Sequence, residues 1–264
     1  MRYQKQEMDM VADTLPEPHS TLLETVPLSP QSRIVGEDIA YEHDGTELEG
    51  YLASDESHDG RRPGVLIIHD WTGVGPTVRM RAQMLARLGY VAFAADVYGR
   101  GVRPTGDAAS AEAHKYYGDL PLLRARVAAG FDRLAADPRV DPDRIAVIGY
   151  CFGGSAALEF ARTGSSVRGV ASFHGGLIVH DPSDAANIRA SVLVMTGAED
   201  PVVPDDAVVA FENELRAADG VEWQVVSYSG APHAFTIPGA PSYRERADQR
   251  SWRELVGFLT ETIG

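Results

Sequence analysis

The stretch Ile145-Ala146-Val147-Ile148-Gly149-Tyr150-Cys151-Phe152-Gly153-Gly154 decides how this chain is read. Ile145–Ile148 is a short apolar run of the kind a strand buried on both faces needs. Ser155–Arg162, immediately behind, reads as a helix. Between them stands G-x-C-x-G, the nucleophile-elbow pattern with Cys in place of Ser. Such an elbow forces its central residue into a strained backbone conformation, and glycines two positions to either side let strand and helix approach without Cβ clashes. The thiol would sit at a helix N-terminus, where unpaired N–H groups and the helix dipole favour the thiolate. The N–H of Phe152 would point where an oxyanion develops. The plainer alternative is a small buried Cys beside glycines that mark a turn.

The surroundings match the elbow. Upstream, Val65–Ile68 and Val91–Ala95 read as strands, with a helix over Arg79–Leu88 stopped by Gly89. Ala108–Ala136 reads as helix with a break near Gly118–Pro121. Downstream come strands Val167–Phe173, Val192–Met195 and Trp223–Tyr228, and helices Asp205–Ala218 and Tyr243–Thr262. Strands alternating with helices of this length mean βαβ units and a parallel sheet. Two alternating stretches, Glu37–Tyr41 and Glu47–Ala53, flank His43-Asp44-Gly45-Thr46 and read as an antiparallel hairpin. The expected architecture is therefore an α/β-hydrolase fold: a mostly parallel central sheet, an N-terminal antiparallel hairpin and helices on both faces. Residues 1–35, with Pro16, Pro18, Pro27, Pro30 and no sustained period, read as an extension, partly disordered or lying across the surface. Residues 36–264 read as one domain.

Composition narrows the function classes. The chain has 264 residues, long enough for a substantial core without staples. A single Cys excludes an internal disulfide, a Cys-pair metal site and a CxxC redox motif, and no metal is expected. The balance of 24 basic against 38 acidic residues leaves a net charge of −14, which repels phosphate backbones and anionic lipid. Neither nucleic acid nor a membrane is an expected partner. The apolar runs are too short to span a bilayer, and residues 1–20 lack the apolar core of a secretory signal. The expectation is a cytoplasmic protein, with oligomeric state left open.

In an elbow hydrolase the nucleophile is followed by the acid and then the base. After Cys151, the strand Val192–Met195 runs into Thr196-Gly197-Ala198-Glu199-Asp200-Pro201. Asp200 is preferred over Glu199 because Pro201 fixes the backbone beside it, although a turn-forming Asp before Pro is the plainer reading. The last strand ends in Ser229-Gly230-Ala231-Pro232-His233-Ala234-Phe235, which puts His233 where the base belongs. His69 and His174 also follow strands, but neither comes after the acid. Val65–Ile68 leads into His69-Asp70-Trp71-Thr72-Gly73, the loop that supplies a second oxyanion donor in this fold; the N–H of Trp71 is the candidate. The plainer reading of Asp70 is a helix-entry cap.

With these elements assembled, the sequence from about residue 37 onward resembles the dienelactone hydrolase (carboxymethylenebutenolidase) family. The resemblance rests on VLIIHDWTG (65–73), GYVAFAADVYGRG (89–101), IAVIGYCFGG (145–154), VASFHGGL (170–177), MTGAEDPVVP (195–204) and GAPHAFTIPG (230–239). It implies a Cys-His-Asp esterase that opens lactones or cleaves activated esters without a cofactor. It also implies that a carboxylate before the second oxyanion donor, here Asp70 where the family usually has Glu, pairs with the resting thiol. Family members acting on dienelactone grip its carboxylate with two arginines. One corresponds to Arg100; the other falls at Ile237. Tyr98, Tyr116 and Tyr117 either line the pocket or are ordinary aromatics.

The leading expectation is a hydrolase of small-molecule carboxylic esters or lactones. A thioesterase could run on the same groups. A non-catalytic ligand receptor on a hydrolase scaffold and a redox-sensing thiol are readings from other classes.

Overall fold

The runs 65–68, 91–95, 145–148 and 192–195 are apolar at every position, which only a sheet covered on both sides tolerates. In the computed structural model, which describes residues 15–178 and 180–264, they lie in one eight-stranded sheet in the order β1-β2-β4-β3-β5-β6-β7-β8. The strands are β1 (Ile34–His43), β2 (Thr46–Asp55), β3 (Arg62–Ile68), β4 (Val91–Ala95), β5 (Val140–Tyr150), β6 (Gly169–Phe173), β7 (Ser191–Gly197) and β8 (Trp223–Tyr228). β1 and β2 pair antiparallel across the Asp44-Gly45 turn, and β2 joins β4 antiparallel. Every other pairing is parallel. This is the mixed α/β architecture expected from the sequence.

Alternate residues of each central strand go to opposite faces, as the period of two demands. Leu66, Ile68 and Val147 pack with Leu123 and Val127 of α4 (Leu120–Ala135), Ala156 of α5 (Phe152–Ala161) and Phe211 of α6 (Asp205–Ala217). Val65, Ile67 and Ile148 pack with Val78 and Leu85 of α2 (Pro76–Arg87) and with Leu255 and Leu259 of α7 (Glu245–Thr262). The expected break near Gly118–Pro121 divides α3 (Gly106–Tyr117) from α4, whose cap is Asp119: its side chain accepts from Leu122 N.

Ahead of β1, the short α1 (His19–Leu23) and the turn after it lie on α2. Leu22, Leu23 and Val26 are buried against Met80 and Met84. Arg87 donates to the carbonyls of Leu23 and Val26 at 3.1 and 2.9 Å. The remainder of the N-terminal extension, residues 1–14, lies outside the described residues. Among the described residues no helix is long and apolar enough to cross a membrane.

Beneath the site, Arg81 of α2 and Asp248 of α7 form an ion pair with side chains 1% and 2% exposed. The guanidinium also donates to Thr236 O at 3.1 Å, and Tyr243 OH donates to Asp248 at 3.2 Å. Removing one partner of such a pair leaves an uncompensated charge in the interior. Asp248→Ala is therefore expected to lower unfolding free energy by about 3–5 kcal/mol in urea titration, far more than exposed Asp107→Ala on α3.

Candidate active site

The elbow forms because Cys151 joins the central strand β5 to α5 with no spacer. Its φ of 54° and ψ of −114° lie outside the usual regions for an L-residue. The turn is pinned at both ends: Cys151 N donates to Phe173 O of β6 at 2.9 Å, and Cys151 O accepts from Gly154 N and Ser155 N at 2.9 and 3.2 Å. Glycine is required at two positions. A Cβ on Gly149 would overlap the backbone of Gly153, and one on Gly153 would overlap the carbonyls of Ile68 and His69. Phe152 is the first residue of α5, so its N–H is among those an α-helix leaves unpartnered.

Parallel strands bring the other candidates to the same sheet edge. Asp200 follows β7 in a turn, where Oδ1 accepts from Val202 N at 2.8 Å and Val203 N at 3.2 Å. Those bonds aim Oδ2 at Nδ1 of His233, 2.8 Å away. Nε2 of His233 lies 3.1 Å from Sγ of Cys151. Glu199, the neighbouring carboxylate, is exposed. Burial alone would lower the His233 pKa. The hydrogen bonds to Asp200 and Cys151, together with their coulombic effect, outweigh it and raise the value to about 10.

The rival histidines have other partners. His69 is fully buried; Nδ1–H donates to Asp70 O at 2.6 Å and Nε2 accepts from Val97 N at 3.1 Å. That pattern defines the neutral ring, in keeping with a pKa lowered chiefly by burial. His174 is buried too, with Nε2 2.8 Å from Thr236 Oγ1. Burial, then the charge of His233, push its pKa well below the ordinary value.

Residues 48–263 match the model of the dienelactone hydrolase family. The chain belongs to that family. A dienelactone hydrolase-like promiscuous phosphotriesterase from metagenomic libraries is 37% identical with a TM-score of 0.84, over 88% of this chain and 99% of that one. A Salmonella typhimurium protein provisionally named carboxymethylenebutenolidase is 25% identical over 83% of this chain and 85% of its own. The acylaminoacyl peptidase of Pyrococcus horikoshii, 15% identical with a TM-score of 0.71 over 94% of this chain and 44% of that one, shares the α/β-hydrolase fold. The chain is thus a hydrolase of the dienelactone hydrolase family.

Beside the thiol a cavity of about 440 Å³ is walled by Trp71, Ala113, Tyr117, Phe152, Val202 and Ile237, with Asp70 and His233 reaching it. Asp70, the position at which this family usually carries Glu, has Thr72 as its partner. Oδ1 accepts from Thr72 N at 2.8 Å and Thr72 Oγ1 at 2.5 Å, while Sγ has His233. Trp71 is 42% exposed at the cavity mouth. Ile237 is brought to the wall, but Arg100 is not among the residues lining it. The Arg100 side chain, 55% exposed, pairs with Glu49 at 3.1 Å and Glu47 at 3.9 Å on β2. Tyr98 is buried behind the wall, its ring 5.3 Å from those of Phe152 and Tyr116. Tyr117 lines the cavity, and burial pushes its hydroxyl up to about 12, so it stays protonated. Among the described residues no three His, Cys, Asp or Glu side chains gather as a metal site needs.

Sequence reading passed over the support behind His233. The His174 ring stands edge-on to it, centroids 5.4 Å apart. Thr236 links that ring to Arg81 through its carbonyl. The signal available in sequence was weak, because His174 and Thr236 lie 62 positions apart. Three of the four non-glycine residues with positive φ among those described, Cys151, His174 and Ala234, surround the site, where backbone strain tends to collect.

Because the raised His233 pKa depends partly on Cys151, Cys151→Ser is expected to bring it down from about 10 by at least one pH unit. An NMR titration of the His233 ring in both proteins measures this. The same shift sets a stability window. The folded value lies above the reference of 6.5, so the contribution is fully present below pH 6.5 and is lost as pH rises through about 10.

Proposed function

We propose that the protein is a cysteine-dependent hydrolase of small carboxylic esters or lactones. The observation that carries this reading is the relay from Asp200 Oδ2 through His233 to Cys151 Sγ, with contacts of 2.8 and 3.1 Å. The sulfur attacks the substrate carbonyl as thiolate, with His233 as imidazolium beside it. The N–H groups of Phe152 and Trp71 receive the oxyanion. In this reading Asp70 braces the Trp71 loop through Thr72. As the tetrahedral intermediate collapses, His233 gives its proton to the departing alkoxide, which leaves as alcohol and a thioester on Cys151.

The pKa causes explain why one imidazole serves both halves of the cycle. Two of the effects that raise His233, the hydrogen bond to Cys151 and its charge, vanish once the sulfur is acylated. The ring then gives up its proton readily and, neutral, takes one from the water that attacks the thioester. Release of the acid restores the ion pair. Thioesters would follow the same steps.

A second reading comes from the neighbour at 37% identity, named a promiscuous phosphotriesterase; an uncharged aryl phosphotriester presents a comparable electrophile to the same thiolate. Turnover of para-nitrophenyl acetate, a small lactone and a neutral aryl phosphotriester tests both. Cys151→Ala is expected to reduce ester turnover by roughly 10³-fold or more, and Asp200→Asn by on the order of 10²–10⁴. Intact-mass measurement should detect an acyl adduct on wild type when deacylation is slow, and none on Cys151→Ala. Equal rates for wild type and Cys151→Ala would refute the assignment.

A further inference from the structure

The cavity beside Cys151 carries information about substrate charge. Among the described residues lining it there is no arginine or lysine. The two arginines nearest in sequence to the family's anion-gripping position are engaged elsewhere. Arg100 pairs with Glu49 and Glu47. Arg103 donates to the carbonyls of Val74, Val102 and Glu49 at 2.9, 2.7 and 3.3 Å. The wall instead presents Ile237, Val202, Ala113 and Phe152, and Asp70 reaches the same space. His114 stands exposed at the rim, with Nδ1–H donating to Ser110 O at 2.7 Å. His233, the cation of the proposed mechanism, is already engaged by Asp200 and Cys151.

The mouth tells the same story from outside. Trp71 and Val202 are among the few large apolar side chains left exposed, at 42% and 60%, and both line this cavity. Apolar side chains at the entrance of an apolar pocket suit an apolar ligand. The net charge of −14 adds a field that slows the approach of anions.

From this we infer that the site selects uncharged substrates with an apolar acyl group and discriminates against acyl groups that carry a carboxylate. The inference rests on the hydrolase reading above and specifies its substrate class. An anion entering here would shed its hydration against an aliphatic wall, meet the Asp70 carboxylate and find no guanidinium. An alkyl chain displaces water from Ile237, Val202 and Phe152 instead. Burial of each added methylene is worth a factor of about three to four in kcat/KM until the cavity is filled.

The experiment compares para-nitrophenyl hydrogen glutarate with its uncharged isostere, in which two methyl groups replace the carboxylate oxygens. Acetate, butyrate and hexanoate esters accompany them, and Cys151→Ala is run in parallel. The expected result is a preference of tenfold or more for the uncharged isostere, and a kcat/KM that climbs along the alkyl series. Ile237→Arg is expected to narrow the charged-to-uncharged ratio by about tenfold. Cleavage of both isosteres within threefold of one another, abolished in Cys151→Ala, would overturn this inference and leave the cysteine mechanism standing. Failure of wild type to exceed Cys151→Ala on any of these esters would overturn the hydrolase reading and this inference with it.

Discussion

The structure around the site depends on one close approach: the backbone of α5 lies directly against the end of β3. Gly153 touches the carbonyls of Ile68 and His69, so the elbow that carries Cys151 and the loop that carries Trp71 are packed as a single unit. Cys151 is strained as a consequence, and such conformations cost about 1–3 kcal/mol. The strain persists because neighbours over-determine it. β5 is bordered by β3 and β6 on its two edges, and both faces are closed by helices. Fixing the thiol in this way also fixes where the first N–H groups of α5 point. The proposed nucleophile and its proposed oxyanion donor are therefore set by one packing event rather than by separate adjustments.

The histidine is held differently, by contacts from distant parts of the chain. Asp200 orients its far nitrogen, His174 packs against its ring, and Thr236 ties the following turn to Arg81 and hence to Asp248. Two histidines next to one another would repel if both were charged. Here burial and the nearby His233 keep His174 neutral, so positive charge is concentrated on the ring that faces sulfur. The electrostatics are thus asymmetric: contacts with Asp200 and Cys151 push one imidazole toward its protonated form, and burial pushes its neighbour toward the neutral form.

What was legible in the sequence follows from the range of the interactions involved. The elbow is local: ten consecutive residues contain the strand end, both glycines and the helix start, and the turn appears where the pattern places it. Asp200 and His233 were found by their order after strand ends, a topological rule. Boundaries were less visible. The helix read as Arg79–Leu88 begins at Pro76, because proline suits a first helical turn. β5 begins at Val140 rather than Ile145, since Val140 and Asp141 pair with Arg62 and Pro63 before the register shifts. Side-chain destinations were least visible. Nothing local to the DVYGR loop says that Arg100 turns to Glu49 on an antiparallel strand some fifty positions away.

That last class of detail bears on chemistry more than on fold. A family pattern can be kept at every backbone position while the charges around the substrate are redistributed by contacts that span the sheet. Here the hairpin strand β2 supplies the carboxylate of Glu49 to Arg100 and its carbonyl to Arg103, so a strand remote from the elbow leaves the pocket without the cations its loop encodes. Ile237 completes the effect from the histidine turn. In the proposed reading, the nucleophilic machinery and the selection of substrate charge are therefore separable. The first depends on the β5–α5 approach, whereas the second depends on where two loops send their arginines.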